Sequence, residues 1–347
     1  MSEKVTPNRK PLLDIAALVD GPPAVVHGEG KSSFATAQLI VDCRCQLGEC
    51  VLWDDRTEEI LFISILDRTF HRLSLSLGQN EQQPELQTYQ LPKMVGAFCL
   101  LEDPPEDGAY LVGWEGPGFQ FYNLRENRAL GEMSTGECVN PLGLPDRLND
   151  GRCDPTGKRF VCGGCPGQAA PLKVYKCEYN SEKKRLEHEP VVDSIKVTNS
   201  ICWSLDGKTM YLADSPELNI HQYDYNLDTG TLSNKRLFHT KPTGFADGSC
   251  VDAQGYVWNA TWRQGDGPGF VQRLDPATGE AVFTVHLPDS TSEASCCCFG
   301  GPNLDILFIT SAWENLEPST EENAGGLYAV KLPPVMSGLK EKRFKIK

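Results

Sequence analysis

The chain is poor in several things that would have placed it quickly. Among its 347 residues only 6 are histidine, and basic residues are outnumbered, with Lys and Arg totalling 33 against 47 Asp and Glu. The formal net charge of −14 argues against a nucleic-acid partner, whose phosphates it would repel. It favours solubility and is compatible with binding cations. No apolar run reaches the roughly 18 residues of a membrane-spanning helix, so no membrane association is expected. The N-terminal "MSEKVTPNRKPLLDIAALVDGPP" lacks a basic start followed by a clean apolar core. It also carries Glu3, Asp14 and Asp20, which disfavour a transit peptide. A cytoplasmic protein is the expectation. Helical periodicity is nearly absent beyond "LLDIAALV".

Cysteine is plentiful, at 14 residues, but lacks the spacing of a metal scaffold. Cys162-Gly-Gly-Cys165 is a single CxxC without a second pair, and Cys296, Cys297 and Cys298 are consecutive. Buried reduced thiols fit a cytosolic chain best, with Cys43 and Cys45 the pair to watch for redox chemistry.

What is present is repetition. One strand pattern recurs as "EILFISI" (59–65), "GAYLVGW" (108–114), "KRFVCGG" (158–164), "KTMYLAD" (208–214), "GYVWNAT" (255–261) and "DILFITS" (305–311). Each follows a turn, explicit in Asp154-Pro-Thr-Gly157, Leu205-Asp-Gly207 and Asp252-Ala-Gln-Gly255, whose glycines lie 50 and 48 residues apart. A second strand follows in each copy, from "RTFHRLSL" (68–75) to "GGLYAVKL" (325–332). Six four-stranded units at this period describe an all-β, six-bladed β-propeller. The segment "ATAQLIVDC" (35–43) precedes the first full unit and is expected to supply the outer strand of the last blade. Residues 34–347 then form the propeller. Residues 1–33 are an N-terminal extension, either a mobile tail or a strap across one face.

Register within the repeat singles out four residues. Asn149 lies eight residues before Gly157, Asn199 eight before Gly207, and Asp247 eight before Gly255; Glu49 lies 100 residues before Asn149, two repeat lengths. The other two blades offer only the neighbourhoods of Phe98–Leu100 and Ser295. Taken alone, "RLNDGRCDPTG" reads as turn chemistry, because Asn and Asp cap nearby backbone groups. The column changes that reading. Equivalent positions in a propeller form a ring about its axis, and two carboxylates with two carboxamides suit a hard divalent cation: Ca²⁺, Mg²⁺ or Mn²⁺. Zn²⁺ stays open as an alternative, but it more usually recruits His or Cys, and no histidine falls in the column.

These motifs resemble those of the gluconolactonase / senescence-marker-protein (regucalcin) family of calcium-dependent sugar lactonases. The resemblance is carried by "CRCQLGECVLWD", "RLNDGRCDPTGKRF", "NSICWSLDGKTMYLADS", "DGSCVDAQGYVWNA", "RLDPATGE" and "SCCCFGG". It implies one divalent ion, most often Ca²⁺, held by Glu49, Asn149, Asn199 and Asp247. It further implies substrate contacts from Arg147 and Asn149, and Asp247 as the general base. Three departures stand out: "LNDG" for "FNDG", Asn199-Ser200 for "NG", and Cys162-Gly-Gly-Cys165 for "AGTM", where the family's strand end contributes to the substrate pocket.

The chemistry expected is lactone opening, with the carbonyl polarised by the cation and a water deprotonated by Asp247. Arg147 would orient sugar hydroxyls or steady developing charge. Asp150 reads either as a group orienting Asn149 or as a turn cap, with the cap preferred. Trp114, Trp262 and Trp313, near the ends of equivalent strands, read equally as walls of a sugar pocket and as packing between blades. The ligand would be a small sugar lactone, and the protein a monomer or weak dimer. Two rivals stay open: a phosphotriesterase-like hydrolase on the same scaffold, and a calcium-binding regulatory protein.

Overall fold

A computed structural model describes residues 11–30, 33–75, 85–116, 118–137, 147–165, 172–241, 243–263, 267–288, 291–316 and 321–347. Residues 1–10 and 31–32 of the expected N-terminal extension lie outside these. The protein is a six-bladed β-propeller: the described residues form six sheets, four of four strands and two of five. The chain divides into two compact units, one comprising Tyr89–Thr240 with Glu341–Lys347, the other Lys4–Thr88 with Lys241–Lys340.

Each sheet runs outward from an inner strand. The inner strands are Gly48–Asp54, Val95–Cys99, Arg147–Cys153, Thr198–Trp203, Gly244–Val251 and Ala294–Gly300. The second strands are Glu59–Ser64, Ala109–Trp114, Arg159–Cys165, Thr209–Asp214, Val257–Arg263 and Ile306–Ser311, close to the bounds the repeat predicts. Blades stack face to face, so an inner or second strand is covered on both sides. Glu59–Ser64 and Ile306–Ser311 are accordingly buried at every position, in continuous apolar runs. Outer strands face solvent, and Leu232–Thr240 is mostly exposed.

The turns work as their sequences suggest. In Asp154-Pro-Thr-Gly157 the aspartate is fully buried, and its Oδ1 accepts the Lys158 and Arg159 amides at 3.1 and 3.2 Å. Asp252 repeats this with the amides of Gln254 and Tyr256 at 2.9 and 3.0 Å, and its Oδ2 takes the Arg273 guanidinium at 2.8 Å. These buried carboxylates are turn anchors paired with arginine, distinct in kind from the column of Glu49 and Asp247.

The segment 35–43 is not one strand but two. Phe34–Thr36 pairs parallel with Ala281–His286 as a fifth strand of one blade, and Gln38–Val41 pairs antiparallel with Leu327–Lys331 as the outer strand of the next. The chain changes sheet at Ala37, buried and small enough to pass between them. The "LLDIAALV" periodicity appears as the helix Ile15–Asp20, capped by Asp14 through the Ala16 amide. Ile15 is fully buried in a cluster with Ile40, Trp53 and Phe308. The Leu12 amide donates to the Ile40 carbonyl at 2.6 Å.

Candidate active site

Every inner strand breaks register against its second strand, and every break falls near the start of that inner strand. The shifts lie between Glu49 and Leu52, Val95 and Ala97, Leu148 and Gly151, Asn199 and Cys202, Ala246 and Ser249, and Ala294 and Cys296. A bulge interrupts the alternation of a strand and re-aims the side chains at that point. Glu49 and Asn199 stand at the start of their bulges, and Asn149 and Asp247 lie within theirs. In the second blade the break is at Gly96, rather than near Phe98–Leu100. A β-carbon there would lie 2.0 Å from the Leu148 carbonyl oxygen, so this blade has no room for a ligand side chain. In the sixth blade the break holds Ser295.

In the first unit the bulges of two adjacent blades are linked by hydrogen bonds. Arg147 donates from Nη1 to Oδ1 of Asn149 and, at 3.3 Å, to the Leu148 carbonyl. Asn149 donates from Nδ2 to the Thr198 carbonyl at 2.8 Å and to Oδ1 of Asn199 at 3.0 Å. Asn199 in turn donates to the Ser215 hydroxyl at 2.8 Å. Asn149 and Asn199 are 7% and 5% exposed, and Arg147 is half-buried. Each amide therefore uses its nitrogen within the protein, while the Asn149 oxygen accepts from Arg147 and the Asn199 oxygen accepts from Asn149.

Asp150 is not the turn cap expected of it. It reaches the next blade, accepting the Ile201 amide at 2.8 Å. Burial pushes its carboxyl up from the ordinary aspartate range, opposed by that amide and by Arg152. The bond fixes the bulge in which Ser200 adopts the left-handed conformation, φ 63°. That is the position where the resembled family carries glycine, so Asp150 holds a backbone geometry that a side chain disfavours.

In the second unit Glu49 and Asp247 stand on the inner strands either side of Ser295. Ser295 donates from its hydroxyl to the Gly48 carbonyl, and Gly248 packs against Cys296. Glu49 and Asp247 are 5% and 4% exposed. Glu49 accepts the Cys50 amide at 3.0 Å, with Cys50 also left-handed at φ 49°. Asn259 on the second strand donates to the Asp247 carbonyl at 2.8 Å and to the Ser249 hydroxyl at 2.9 Å, while its own Oδ1 is buried with no donor. In the first unit the Thr198 hydroxyl is likewise buried and unpartnered beside Asn199. Neither was singled out from sequence, although an asparagine inside the apolar strand "VWNA" is a visible anomaly.

Cys162 and Cys165 lie on the strand Arg159–Cys165, where residues three apart point to opposite faces. Cys162 is fully buried and Cys165 half-buried. Between them Gly163 is required by packing, since a β-carbon would fall 2.2 Å from the Thr198 hydroxyl. Among the described residues no three His, Cys, Asp or Glu side chains cluster as a metal site. The donor sets above draw half their oxygens from amides. Trp114 is buried edge-on against Tyr122 and donates to Gln120, so it packs. Trp262 and Trp313 are half-buried.

Residues 47–313 match the family model described as the SMP-30/Gluconolactonase/LRE-like region. The chain belongs to this family. Regucalcin from Danio rerio is 30% identical over 289 residues, covering 82% of this chain and 89% of the relative. The solved luciferin-regenerating enzyme superposes with a TM-score of 0.72 at 25% identity, covering 89% of this chain and 99% of its own. A calcium-binding protein, regucalcin from Agrobacterium tumefaciens, shares the fold with a TM-score of 0.74 at 24% identity, covering 90% and 97%. The family assignment supports a hydrolase of sugar lactones. No described helix is long and apolar enough to cross a membrane.

Proposed function

We propose that this chain opens a sugar lactone using one divalent cation held by Glu49, Asn149, Asn199 and Asp247, with Ca²⁺ the ion best suited to them. The observation that supports the reading is the recurring register break: each of these four oxygen-bearing side chains lies at or within the break of its own inner strand. The donor chemistry fits. Glu49 and Asp247 supply carboxylate oxygens, Asn149 and Asn199 supply amide oxygens that a cation would take over from Arg147 and Asn149, and the Oδ1 of Asn259, on the strand next to that of Asp247, is buried without a donor among the described residues. When bound, such an ion supplies Lewis-acid polarisation of the lactone carbonyl and stabilises the negative charge that builds on it.

The chain's own residues do the rest. Asp247 takes a proton from the attacking water as it adds to the carbonyl carbon; when the tetrahedral centre collapses the ring C–O bond breaks, and the proton passes from Asp247 to the leaving alkoxide oxygen. Arg147 serves as a fixed donor. Its Nη1 is held by Asn149 and Leu148, and among the described residues Nε and Nη2 are left to orient the substrate's oxygens. Asn149 thereby links the substrate-orienting arginine to the Asn199 amide. The bulges held by Asp150 and by the Ser295–Gly48 bond keep these groups placed before substrate arrives.

The test is hydrolysis of aldonolactones by the purified protein, stripped of metal and then resupplied with Ca²⁺, Mg²⁺, Mn²⁺ or Zn²⁺. Turnover should vanish on stripping and return with the ion. Metal binding without turnover on any lactone would favour the regulatory reading, and turnover confined to phosphoesters the phosphotriesterase one.

A further inference from the structure

Asp247 sits at a bulge that its own sequence leaves soft. Between the pairs Ala246–Thr261 and Ser249–Asn259, two residues, Asp247 and Gly248, oppose Ala260 alone. Gly248 is dictated by packing, since a β-carbon there would lie 2.5 Å from the Cys296 Sγ. Glycine gives the peptide that follows Asp247 more freedom to rotate than any other residue would. A bulge also puts its extra residue outside the regular ladder, which therefore does little to fix that peptide. Rotating the peptide turns the Asp247 side chain through their shared α-carbon.

One side chain holds it. Asn259, on the second strand Val257–Arg263, is fully buried and donates from Nδ2 to the Asp247 carbonyl at 2.8 Å and to the Ser249 hydroxyl at 2.9 Å. A carbonyl can only accept, so the amide turns its nitrogen towards Asp247 and its oxygen away. That oxygen meets no donor among the described residues. Leaving a buried amide oxygen unbonded is costly, and an apolar side chain would avoid the cost. In the other five blades the residue that faces the resumption of pairing after the break is Leu61, Gly113, Cys162, Tyr211 or Thr310. A carboxamide stands at this place in the blade of Asp247 alone; the blades of Glu49, Asn149 and Asn199 do without one.

We propose that Asn259 is the positioning residue of the base: by holding the Asp247 carbonyl it fixes the direction of the Asp247 carboxylate before water and lactone arrive. This role rests on the reading of Asp247 as both ligand and general base. A carboxylate that is only a ligand tolerates some play, because the ion draws it in. A base must meet one proton along one line, and small misplacements cost rate steeply. Asn259 therefore acts on the chemical step rather than on the binding of substrate.

The experiment compares wild type, Asn259→Val, Asp247→Ala and the double variant. Turnover is measured on gluconolactone at saturating Ca²⁺, and Ca²⁺ binding to the stripped proteins by calorimetry. Asn259→Val should lower kcat at least about tenfold, with KM within about threefold of wild type, the scale of misplacing a reacting group. It should also weaken Ca²⁺ binding. With Asp247→Ala in place there is no carboxylate to aim, so adding Asn259→Val should change neither residual turnover nor Ca²⁺ affinity further. The role is overturned if Asn259→Val keeps the wild-type kcat. It is also overturned if the losses are as large beside Asp247→Ala as alone, which would make Asn259 merely structural. If wild type binds Ca²⁺ but opens no lactone, the catalytic reading falls by itself, and the same cycle in Ca²⁺ affinity decides the positioning. A loss that needs the Asp247 carboxylate supports it; no loss, or one independent of that carboxylate, overturns it. A wild type with neither turnover nor Ca²⁺ binding overturns both. Asn259→Ala takes the place of Asn259→Val should the latter not fold; if neither folds, the side chain is structural and the proposal falls.

Discussion

Asn149 donates from Nδ2 to Oδ1 of Asn199 at 3.0 Å, and the same nitrogen reaches the Thr198 carbonyl at 2.8 Å. The orientation of one amide therefore depends on the other before any ligand binds. Asn149→Asp keeps the shape and removes both donors, setting a carboxylate oxygen against the oxygen of Asn199 and the Thr198 carbonyl. Without a divalent ion the variant should lose about 1–3 kcal/mol of stability, the cost of leaving buried acceptors unmade. A cation between the oxygens should recover much of that loss. Thermal unfolding with and without Ca²⁺ measures it. An unchanged melting temperature in the stripped protein would show that the amide pairing carries no energy.

Arg159 is a staple between two blades of the first unit. Its guanidinium reaches Glu178 at 2.6 Å, Asp154 at 3.2 Å, and the carbonyls of Leu227 and Asp228 at 2.9 and 2.5 Å. Asp154 is fully buried and also accepts the Tyr225 hydroxyl at 2.9 Å. Arg159→Met should cost about 3–5 kcal/mol, because it leaves that carboxylate buried without its cation. Chemical denaturation reads it out. A loss under about 1 kcal/mol would mean that Tyr225 and the turn amides suffice for Asp154.

Lys241 is 2% exposed, donates to Gln272 Oε1 at 2.9 Å and lies 5.5 Å from the Phe270 ring centroid. Burial lowers its amine to about 7, against about 10.4 when unfolded. Between these values the unfolded chain holds a proton that the folded chain does not, so this group makes stability rise with pH across that window. Lys241→Met should be more stable than wild type near pH 7, and its advantage should shrink as pH approaches about 10. Paired urea titrations at several pH values test the trend; an advantage independent of pH would rule out the titration.

The fold was legible because the repeat is written in local signals. Turns such as Asp252-Ala-Gln-Gly255 and apolar runs such as "DILFITS" need no tertiary information to be read. Non-local events were harder. Nothing local says that the chain changes blade at Ala37, since both halves of 35–43 are good strands. Nor does sequence reveal that Asp150 bonds the Ile201 amide 51 residues away. Counting back from the turn glycines gives Asn149, Asn199 and Asp247, and two repeat lengths before Asn149 give Glu49; in each of these blades the register break falls at that residue or next to it. The same count missed Gly96, because it looked for side chains where a neighbouring carbonyl leaves no space.

The sharpest prediction separates ligand from base. Asp247→Asn preserves volume and an oxygen donor but removes a charge and the proposed proton acceptor. Glu49→Gln removes a charge alone. Both should weaken Ca²⁺ binding, measured by calorimetry on the stripped protein. At saturating ion, Glu49→Gln should recover most of the wild-type kcat, because its defect is affinity. Asp247→Asn should remain down by at least about a hundredfold, the scale of a positioned acid–base group. Asn259 donates to the Asp247 backbone carbonyl, a bond that Asp247→Asn keeps. Full recovery of both variants would make Asp247 a ligand only and pass the base to another group. Unweakened ion binding in both would dissolve the column as a metal site and return Asn149 to a purely structural bond with Asn199.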